Sequence, residues 1–327
     1  MHIRPRRNRK SAAIRALVAE TSLSAADFIY PLFIHEGSED QDIDSMPGCK
    51  RWSLDGLLKE AGEAFALGVK AVVLFPAIGD KLKTPGAEEA WNPEGLVPTA
   101  VRALKEAIPD LCVITDVALD PYNSEGHDGL VEKQSDGSLK ILNDPTVLAL
   151  CEQALCHAEA GADIVSPSDM MDGRVAAIRG ELDDAGYQDV SILSYSAKYA
   201  SAYYGPFRGA LDSAPKAGDK KTYQMDPANA REAIREVGLD EGEGADMVMV
   251  KPAGPYLDII ARVRESTTIP VAAYQVSGEY LMIESAAASG WIDGKAVALE
   301  SLMGIKRAGA DLILTYYAKR VAGWLAE

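Results

Sequence analysis

The sequence predicts a single (β/α)8 TIM barrel preceded by an extended N-terminal arm, and two observations carry this prediction. Eight short apolar runs alternate with segments of helical periodicity over most of the 327 residues. The runs are almost continuously apolar, which is typical of parallel strands covered by helices on both faces. Eight such units fit a closed barrel, whose active site lies at the carboxyl ends of its strands.

The predicted strands follow one another at intervals that leave room for a helix between them. They cover residues 28–34, 71–76, 112–119, 162–167, 191–196, 246–250, 270–276 and 310–317. Segments 54–68, 144–161, 227–238 and 294–309 have helical spacing, and several close on a glycine suited to a helix C-cap. An open doubly wound sheet is the alternative, but FIHEGSEDQDID after the first strand is not a glycine-rich phosphate turn.

Residues 23–327 are expected to form one catalytic domain, with residues 1–22 as an arm that contacts another subunit. Residues 199–227 fit no regular element and follow the fifth predicted strand, at the mouth of the barrel. A long segment in that place is typical of a lid that opens and closes over the site. We therefore predict a lid over about 199–227.

Composition indicates an ordinary water-soluble protein, since 47% of the residues are hydrophobic and 25% are charged. No run approaches the roughly 18 apolar residues of a membrane span, and the N-terminus lacks the apolar core of a signal peptide. The sequence therefore predicts a cytosolic protein without a membrane partner. The four cysteines lack CxxC spacing and are expected to be reduced thiols.

Charge is distributed unevenly, because the chain has a net charge of −16 while its first ten residues include five basic side chains. The acidic body repels phosphate, and no aromatic residues alternate with the basic ones, so nucleic acid is not an expected partner. The arm suits the acidic surface of a second copy of the chain, with a solvated basic end as the alternative. A homo-oligomer is the expectation.

Two lysines end neighbouring predicted strands, Lys198 after the fifth and Lys251 after the sixth. Adjacent parallel strands lie about 4.8 Å apart, so both ammonium groups are expected at one mouth. Burial and like charge both lower the pKa of a lysine, and a neutral amine forms Schiff bases with carbonyl compounds. A single lysine there is ordinarily a surface cation or an ion-pair partner, but two on neighbouring strands with no carboxylate beside either favour the reactive role.

Other polar residues near this mouth suit a substrate that carries a carboxylate. Three cations lie in the predicted lid, and three hydroxyl-bearing residues lie at the ends of the last two strands. These residues are Arg208, Lys220 and Lys221 in the lid, and Tyr274, Ser277 and Tyr316 at the strand ends.

Six motifs closely resemble those of the porphobilinogen synthase family, also called 5-aminolevulinate dehydratase. They are DVALDPYNSEGHDG, SPSDMMDGR, SYSAKYASAYYGPFR, YQMDPAN, GADMVMVKPAGPYLDI and YQVSGEY, in the family's order. The resemblance covers nearly the whole chain. It implies a hydro-lyase that condenses two 5-aminolevulinate molecules to porphobilinogen, with loss of two waters, in tetrapyrrole (haem) biosynthesis. It also implies a homo-octamer.

The resemblance assigns roles to individual residues. Lys251 matches the lysine that holds the first substrate, which becomes the propionate side, and Lys198 matches the lysine that anchors the second. Ser277 and Tyr316 match groups that bind the first substrate's carboxylate, with Tyr274 beside it. The matches for the second substrate are Asp116 and Ser168 near its amine, and Arg208, Lys220 and Gln224 at its carboxylate.

One metal site of the zinc-dependent members lacks its ligands in this chain. Ala118, Asp120 and Asp128 stand where those members carry three cysteines. Thiolates select zinc, whereas carboxylates suit magnesium. A catalytic zinc is therefore not expected.

A second metal position is implied in the helical segment around Glu236. This residue matches a glutamate that holds an activating magnesium in some bacterial members, and Asp169 and Arg174 match its outer shell. Mg²⁺ binds with one or two carboxylates and keeps several waters, so a single glutamate suffices. An allosteric Mg²⁺ is the expectation, with a solvated helix carboxylate as the alternative.

Two other functions are compatible with parts of this pattern. A class I aldolase also uses a lysine on the sixth strand of an α/β barrel, but it needs a single Schiff base. A non-catalytic barrel that binds a metabolite is the other alternative, although such a protein has no use for two paired amines.

Overall fold

The structure is a computed structural model and describes residues 2–211 and 215–327. Eight parallel strands form a closed barrel within these residues. They are β1 (Phe28–His35), β2 (Ala71–Ala77), β3 (Cys112–Val117), β4 (Ile164–Pro167), β5 (Ser191–Lys198), β6 (Met247–Lys251), β7 (Val271–Gln275) and β8 (Leu312–Thr315). The predicted barrel is confirmed, and β5 continues to Lys198 although the sequence predicted its end at residue 196.

Each strand pairs with its neighbours in chain order, and the barrel closes where β8 pairs with β1 through Phe28 and Ile313. Strand β2 explains why the apolar runs are unbroken. Val73 and Phe75 belong to the main core, whereas Val72 and Leu74 pack in a second cluster with Leu57 and other helix residues. Alternate side chains therefore point to the two faces of the strand, and both faces are covered.

Helices surround the barrel and carry the connections between its strands. They are α1 (Ala12–Leu17), α2 (Leu54–Ala66), α3 (Leu96–Ala107), α4 (Asn143–Glu159), α5 (Arg174–Asp184), α6 (Gly205–Leu211), α7 (Arg231–Gly242), α8 (Leu257–Ser266), α9 (Ser277–Ala288), α10 (Gly294–Ala308) and α11 (Ala318–Ala326). None of them, within the described residues, has the length and apolar character that crossing a bilayer requires.

The barrel also carries short elements that the sequence did not predict. Gln41–Asp42 pairs antiparallel with Lys50–Trp52, which itself continues the sheet beside β1. Leu130–Lys133 and Leu139–Leu142 form a separate hairpin between β3 and α4. Single-turn 3-10 helices also occur, at Pro5–Arg9, Ala25–Asp27, Asp80–Leu82, Glu88–Trp91, Ala202–Tyr204 and Gly254–Tyr256.

The N-terminal arm extends away from the barrel. Its 3-10 turn Pro5–Arg9 and helix α1 contain no buried residue, and Leu17 is 83% exposed. An apolar side chain left this exposed beside a row of arginines has no role in the core of its own chain. Contact of this arm with another subunit remains a prediction.

Candidate active site

The two lysines lie side by side at the carboxyl end of the barrel. Lys198 is the last residue of β5, Lys251 is the last residue of β6, and the two face each other in the register of the parallel pair. Both are buried, with 5% and 7% of their surfaces exposed. The strand ends thus bring two ammonium groups to one mouth, as the sequence predicted.

Lys251 is enclosed by aromatic rings. Its Nζ lies 4.5 Å from the ring centroid of Tyr274, 4.9 Å from that of Tyr195, 5.2 Å from that of Phe207 and 5.3 Å from that of Tyr204. Within the part of the chain that the structure describes, it forms no ion pair. Burial, and then the positive charge of Lys198, lower the pKa of Lys251 to about 7, against the opposing effect of three nearby aspartates.

Lys198 has a different environment, and one expectation about it was wrong. The sequence reading placed no carboxylate beside either lysine, but Lys198 Nζ lies 3.0 Å from Asp128 Oδ1 and also donates to the carbonyl oxygen of Ser168. Asp128 is 70 residues away in the chain, so strand-end spacing could not reveal the pair. The two lysines are therefore unequal, one paired with a carboxylate and one surrounded by rings.

Asp128 is the centre of a buried network. Its Oδ2 lies 2.6 Å from Lys220 Nζ and accepts a hydrogen bond of 2.8 Å from the hydroxyl of Tyr223. Lys220 also contacts Asp120 Oδ2 at 3.3 Å. Burial alone would raise the pKa of Asp128, but Lys198 and Lys220 lower it well below its usual range. Asp128 is therefore an anion that holds both cations.

Asp116 lies on β3 and faces the same cavity. Burial and the neighbouring charge of Asp120 raise its pKa to about 7, although Lys198, Lys251 and Ser168 act in the opposite direction. Its Oδ1 is buried and has no hydrogen-bond partner among the described residues. A carboxyl group with this pKa exchanges a proton readily near neutral pH.

The residues implied for the first carboxylate lie beside the predicted lid. Ser277 Oγ accepts a hydrogen bond of 3.0 Å from the backbone N–H of Phe207, and the hydroxyls of Tyr274 and Tyr316 lie 2.8 Å apart. Tyr316 also stacks on Phe33, near the carboxyl end of β1. The ring of Tyr274 is close to Lys251, and part of the bonding capacity of these hydroxyls is taken by the protein itself.

The predicted lid contributes Lys220 and Gln224, both buried, and leaves Lys221 exposed. The side chain of Arg208 lies outside what the structure describes, and so does part of the predicted lid at 212–214. The space left between lid and barrel is about 40 Å³. Its lining residues are Phe75, Asp116, Asp120, Asp128, Ser168, Lys198, Tyr204, Phe207, Leu211, Lys220, Gln224 and Lys251.

The residues implied for magnesium lie on the outer side of β5. Arg174 forms two hydrogen bonds with Asp240, of 2.7 and 3.1 Å, and donates to Ser194 Oγ. Glu236 is half-buried and lines a separate cavity of about 470 Å³ together with Glu232 and other residues. Within residues 2–211 and 215–327, no three or more His, Cys, Asp or Glu side chains are grouped to hold a metal ion.

Sequence reasoning missed several residues of this site. The rings of Tyr195, Tyr204 and Phe207 around Lys251 were not singled out, and Asp128 was noted only as a position without cysteine. Tyr195 lies three residues before Lys198 on β5, and its ring centroid is 5.9 Å from Lys198 Nζ. A tyrosine near the end of a lysine-bearing strand was the available signal.

A closed (β/α)8 barrel with polar and titratable residues buried at the carboxyl ends of its strands is the architecture of a barrel enzyme. The family model for delta-aminolevulinic acid dehydratase matches residues 2–324. The chain belongs to this family, whose members are hydro-lyases, and its activity is that of a porphobilinogen synthase.

Individual relatives resemble the chain over almost its whole length. It is 60% identical over 327 residues to the chloroplastic delta-aminolevulinic acid dehydratase of Physcomitrium patens, covering 99% of this chain and 74% of that protein. The Selaginella martensii enzyme is 61% identical, with 98% and 76% covered. The crystal structure of the Toxoplasma gondii ME49 enzyme with the product porphobilinogen has a TM-score of 0.97 and 57% identity, with 99% and 92% covered.

These comparisons correct one prediction and remove two alternatives. The relatives from Physcomitrium patens, Selaginella martensii, Glycine max and Arabidopsis thaliana are named chloroplastic, which contradicts the cytosolic location predicted from the sequence. Family membership over nearly the whole chain excludes a class I aldolase and a non-catalytic barrel.

Proposed function

We propose that Lys251 and Lys198 are the two Schiff-base lysines of the condensation, each holding one 5-aminolevulinate. The observation that carries this proposal is their pairing in register at adjacent strand ends, with both side chains buried and facing one cavity. A pKa of about 7 leaves a large share of Lys251 as the neutral amine, which is the form that attacks a ketone.

The contrast between the two lysines suits two different substrates. Lys251 lies among rings, where imine formation needs no ion pair to be broken first. Lys198 is held by Asp128 and by the carbonyl oxygen of Ser168, so its approach to a carbonyl carbon is fixed in direction. We infer that Lys251 holds the first substrate and Lys198 the second.

The chemistry then needs an electron sink and groups that move protons. An iminium on Lys251 or Lys198 withdraws electrons, so a neighbouring carbon loses a proton and attacks the other ketone in an aldol-type step. The amine of one substrate closes the ring, and a final deprotonation makes the pyrrole aromatic. Asp116, with a pKa of about 7, is placed to accept or return protons in these steps.

Carboxylate recognition accounts for the remaining polar groups. Ser277 and Tyr316 bind the first carboxylate, with Tyr274 beside it, and Ser168 lies near the second substrate's amine. The second carboxylate is held by the lid residues Arg208, Lys220 and Gln224. A cavity of about 40 Å³ holds a few waters and not two substrates, so the lid opens before they bind. Lys220 then exchanges Asp120 and Asp128 for the substrate carboxylate.

Borohydride trapping tests the two lysines. Lys251→Ala should abolish porphobilinogen formation. Lys198→Ala should be severely impaired in the same assay, but it should still give a reduced adduct on Lys251, identified by peptide mass spectrometry. Lys221→Ala is the matched control, since this lid lysine is exposed and should leave turnover near that of the parent. Turnover near the parent rate in Lys251→Ala would disprove the assignment.

Magnesium is the metal that the outer site fits best, and the family is metal-dependent. The oxygen atoms of Glu236 and Glu232 line one cavity, and hard carboxylate donors suit Mg²⁺. Burial, and then the charges of Asp240, Asp172 and Glu232, raise the pKa of Glu236, against Arg174, so a bound cation would relieve the repulsion. We infer an allosteric Mg²⁺ at Glu236, with Asp169 and Arg174 behind it.

A catalytic zinc does not fit the inner site. Ala118 supplies no donor, and both oxygens of Asp128 are engaged by lysines or by a tyrosine hydroxyl. Soft thiolates, which select zinc, are absent from these three positions.

Added Mg²⁺ should raise activity and promote larger assemblies together, because binding to one assembled state favours that state. Glu236→Ala should lose both responses, while Lys251 still forms an adduct with substrate. Glu300→Ala, on exposed α10 surface, is the control that should keep both. Light scattering measures assembly and titration calorimetry measures Mg²⁺ binding, and neither measurement depends on activity. Full activity in metal-free buffer, unchanged by Mg²⁺, would refute the magnesium proposal.

We further infer that the assembled form is a homo-octamer built through the basic N-terminal arms. The support is the family membership and an arm whose residues are unburied in the isolated chain. Mass photometry at several protein concentrations tests it, and a single species smaller than an octamer in the presence of Mg²⁺ would disprove it.

A further inference from the structure

Glu279 lies in the first turn of α9 and is 8% exposed. Its Oε2 accepts the backbone N–H of Val276 at 2.9 Å and, at 3.4 Å, that of Ala253. Its Oε1 accepts the backbone N–H of Gly254 at 2.7 Å. One carboxylate thus connects the segment that follows β6 with the segment that follows β7.

Helix capping explains only one of these three bonds. A glutamate at the third helical position that accepts the N-cap backbone N–H is a common device at helix starts, and the bond from Val276 is of this kind. The other two N–H groups belong to Ala253 and Gly254, two and three residues after Lys251. They come from a different strand end, so a second role is required.

The buried surroundings of this carboxylate disfavour its charged form. Among the described residues Glu279 forms no ion pair, and its burial raises the pKa to about 7, while the three backbone N–H groups act in the opposite direction. The contact is also close, because a Cβ on Gly254 would lie 2.6 Å from Oε1. The loop after β6 therefore has little freedom to move away from α9.

We propose that Glu279 is a positioning residue that fixes the backbone after Lys251 relative to Ser277, so that the amine and the group for the first carboxylate keep one spacing. Ser277 precedes Glu279 by two residues on the same helix turn, and its backbone is fixed by the same carboxylate's bond to Val276. This inference rests on the proposed role of Lys251.

Reaction geometry gives this spacing its importance. A substrate held by its carboxylate presents its ketone at a fixed distance, and an amine displaced by about 1 Å can lose about a hundredfold in rate. Glutamine at position 279 keeps the size of the side chain, but its NH₂ group would face at least one backbone N–H that now has an acceptor. The loop after β6 would then shift, while the loop after β5 would not.

The test compares imine formation at the two lysines in one experiment. Parent and Glu279→Gln are mixed with 5-aminolevulinate at pH 8.5, where the carboxylate of the parent is ionised, and are quenched with borohydride over time. Peptide mass spectrometry then gives the rate of adduct formation at Lys251 and at Lys198. We expect the rate at Lys251 to fall about tenfold or more, with little change at Lys198.

Three further variants make the result decisive. Glu284→Gln, on the same helix, removes a carboxylate that bonds Tyr317 and Arg320 and should leave both rates unchanged. Gly254→Ala keeps Glu279 but crowds its Oε1. Like Glu279→Gln, it should lower the rate at Lys251 more than the rate at Lys198. Glu279→Asp, which retains a carboxylate, should recover part of the rate at Lys251.

Each outcome decides the proposal. A selective loss at Lys251 in Glu279→Gln, or in Gly254→Ala if the former does not fold, supports it. Equal losses at both lysines mean that Glu279 acts only through general stability, and unchanged rates mean that it has no role, so either result overturns it. A parent chain without any Lys251 adduct overturns the lysine assignment itself, and this inference with it.

Discussion

At the scale of single residues, the environment of a side chain decides its chemistry more than its identity does. Lys198 and Lys251 end adjacent strands and face one cavity, yet one is paired with Asp128 and the other is enclosed by rings. Desolvation without a counter-ion lowers the pKa of a lysine, whereas a carboxylate in contact stabilises the ammonium form. The same residue type thus has an ion-pair partner in one position and aromatic neighbours in the other.

The first residue-scale prediction concerns the pH dependence of imine formation at Lys251. The pKa is lowered to about 7, so the neutral amine predominates above that pH and reactivity should reach a plateau there. An unshifted lysine would keep gaining reactivity up to about pH 10. Asp116→Asn removes a charge that raises this pKa, so the midpoint should move to lower pH. Borohydride trapping with levulinate against pH measures it, and a midpoint near 10 would refute the prediction.

The second residue-scale prediction concerns His157, a residue of α4 that is fully buried. Both ring nitrogens lack a hydrogen-bond partner among the described residues, and burial lowers the pKa to about 3. The unfolded chain protonates this histidine below about pH 6.5, so its contribution to stability falls as the pH drops from 6.5 towards 3. At pH 5 this loss amounts to about 2 kcal/mol.

His157→Leu should therefore be less sensitive to acid than the parent, because leucine carries no such proton linkage. Urea unfolding at pH 5 and pH 8 gives the two free energies of unfolding. Gln153→Leu on the same helix replaces a buried side chain that does not titrate, and serves as the control with an unchanged pH slope. An equal pH slope in His157→Leu and the parent would contradict the argument.

At the scale of elements, the N-terminus of α9 contacts both the predicted lid and the segment that follows β6. Ser277 accepts the N–H of Phe207, and Glu279 holds the segment after β6. Gly278 lies between them, and a Cβ there would come within 2.5 Å of the carbonyl oxygen of Tyr203 in the lid. This glycine allows two backbones to approach more closely than any side chain would permit.

Gly278→Ala should consequently weaken lid closure without unfolding the barrel. The added methyl group meets lid backbone rather than a flexible side chain, so the lid must move away. We expect kcat/KM to fall about tenfold or more, since closure completes the site and excludes water. Gly180→Ala on α5, where a Cβ meets nothing within 4 Å, is the matched control. Parent-like kinetics in Gly278→Ala would show that the lid is not seated there during turnover.

At the scale of the whole molecule, charge distribution points to assembly. The chain carries a net charge of −16 but has a basic arm, so the arm of one copy is complementary in charge to the acidic surface of another. Pro5–Arg9 and α1 bury nothing in their own chain, and Ile3 and Leu17 are more than four-fifths exposed. We therefore expect such an arm to be stabilised by contact outside its own barrel.

Deletion of residues 1–12 should yield smaller particles and lower activity at low protein concentration. If the arm places its basic side chains on an acidic neighbour, its loss should weaken the contact between subunits. Light scattering across a concentration series measures particle size, and charge reversal at Arg6 and Arg7 should act in the same direction as the deletion. Unchanged particle size would leave the arm as a solvated end.

The sequence by itself determined the barrel, because eight unbroken apolar runs that alternate with helical segments reflect parallel strands covered on both faces. It also placed Lys198 and Lys251 at one mouth, since adjacent strand ends meet whatever the connecting helices do. Most of the implied site residues followed from motifs. The exact end of β5 and the short hairpin at 130–142 did not, because local pattern marks the boundaries of elements poorly.

Only the tertiary structure decided which residues meet across long separations in the chain. Asp128 and Lys198 are 70 residues apart, and Glu279 reaches Gly254 across 25 residues and from another strand end. Such contacts depend on loop paths and side-chain rotamers, and neither periodicity nor composition predicts these. The inequality of the two lysines follows from those contacts, since desolvation and ion pairing are properties of the folded surroundings and not of the residue type.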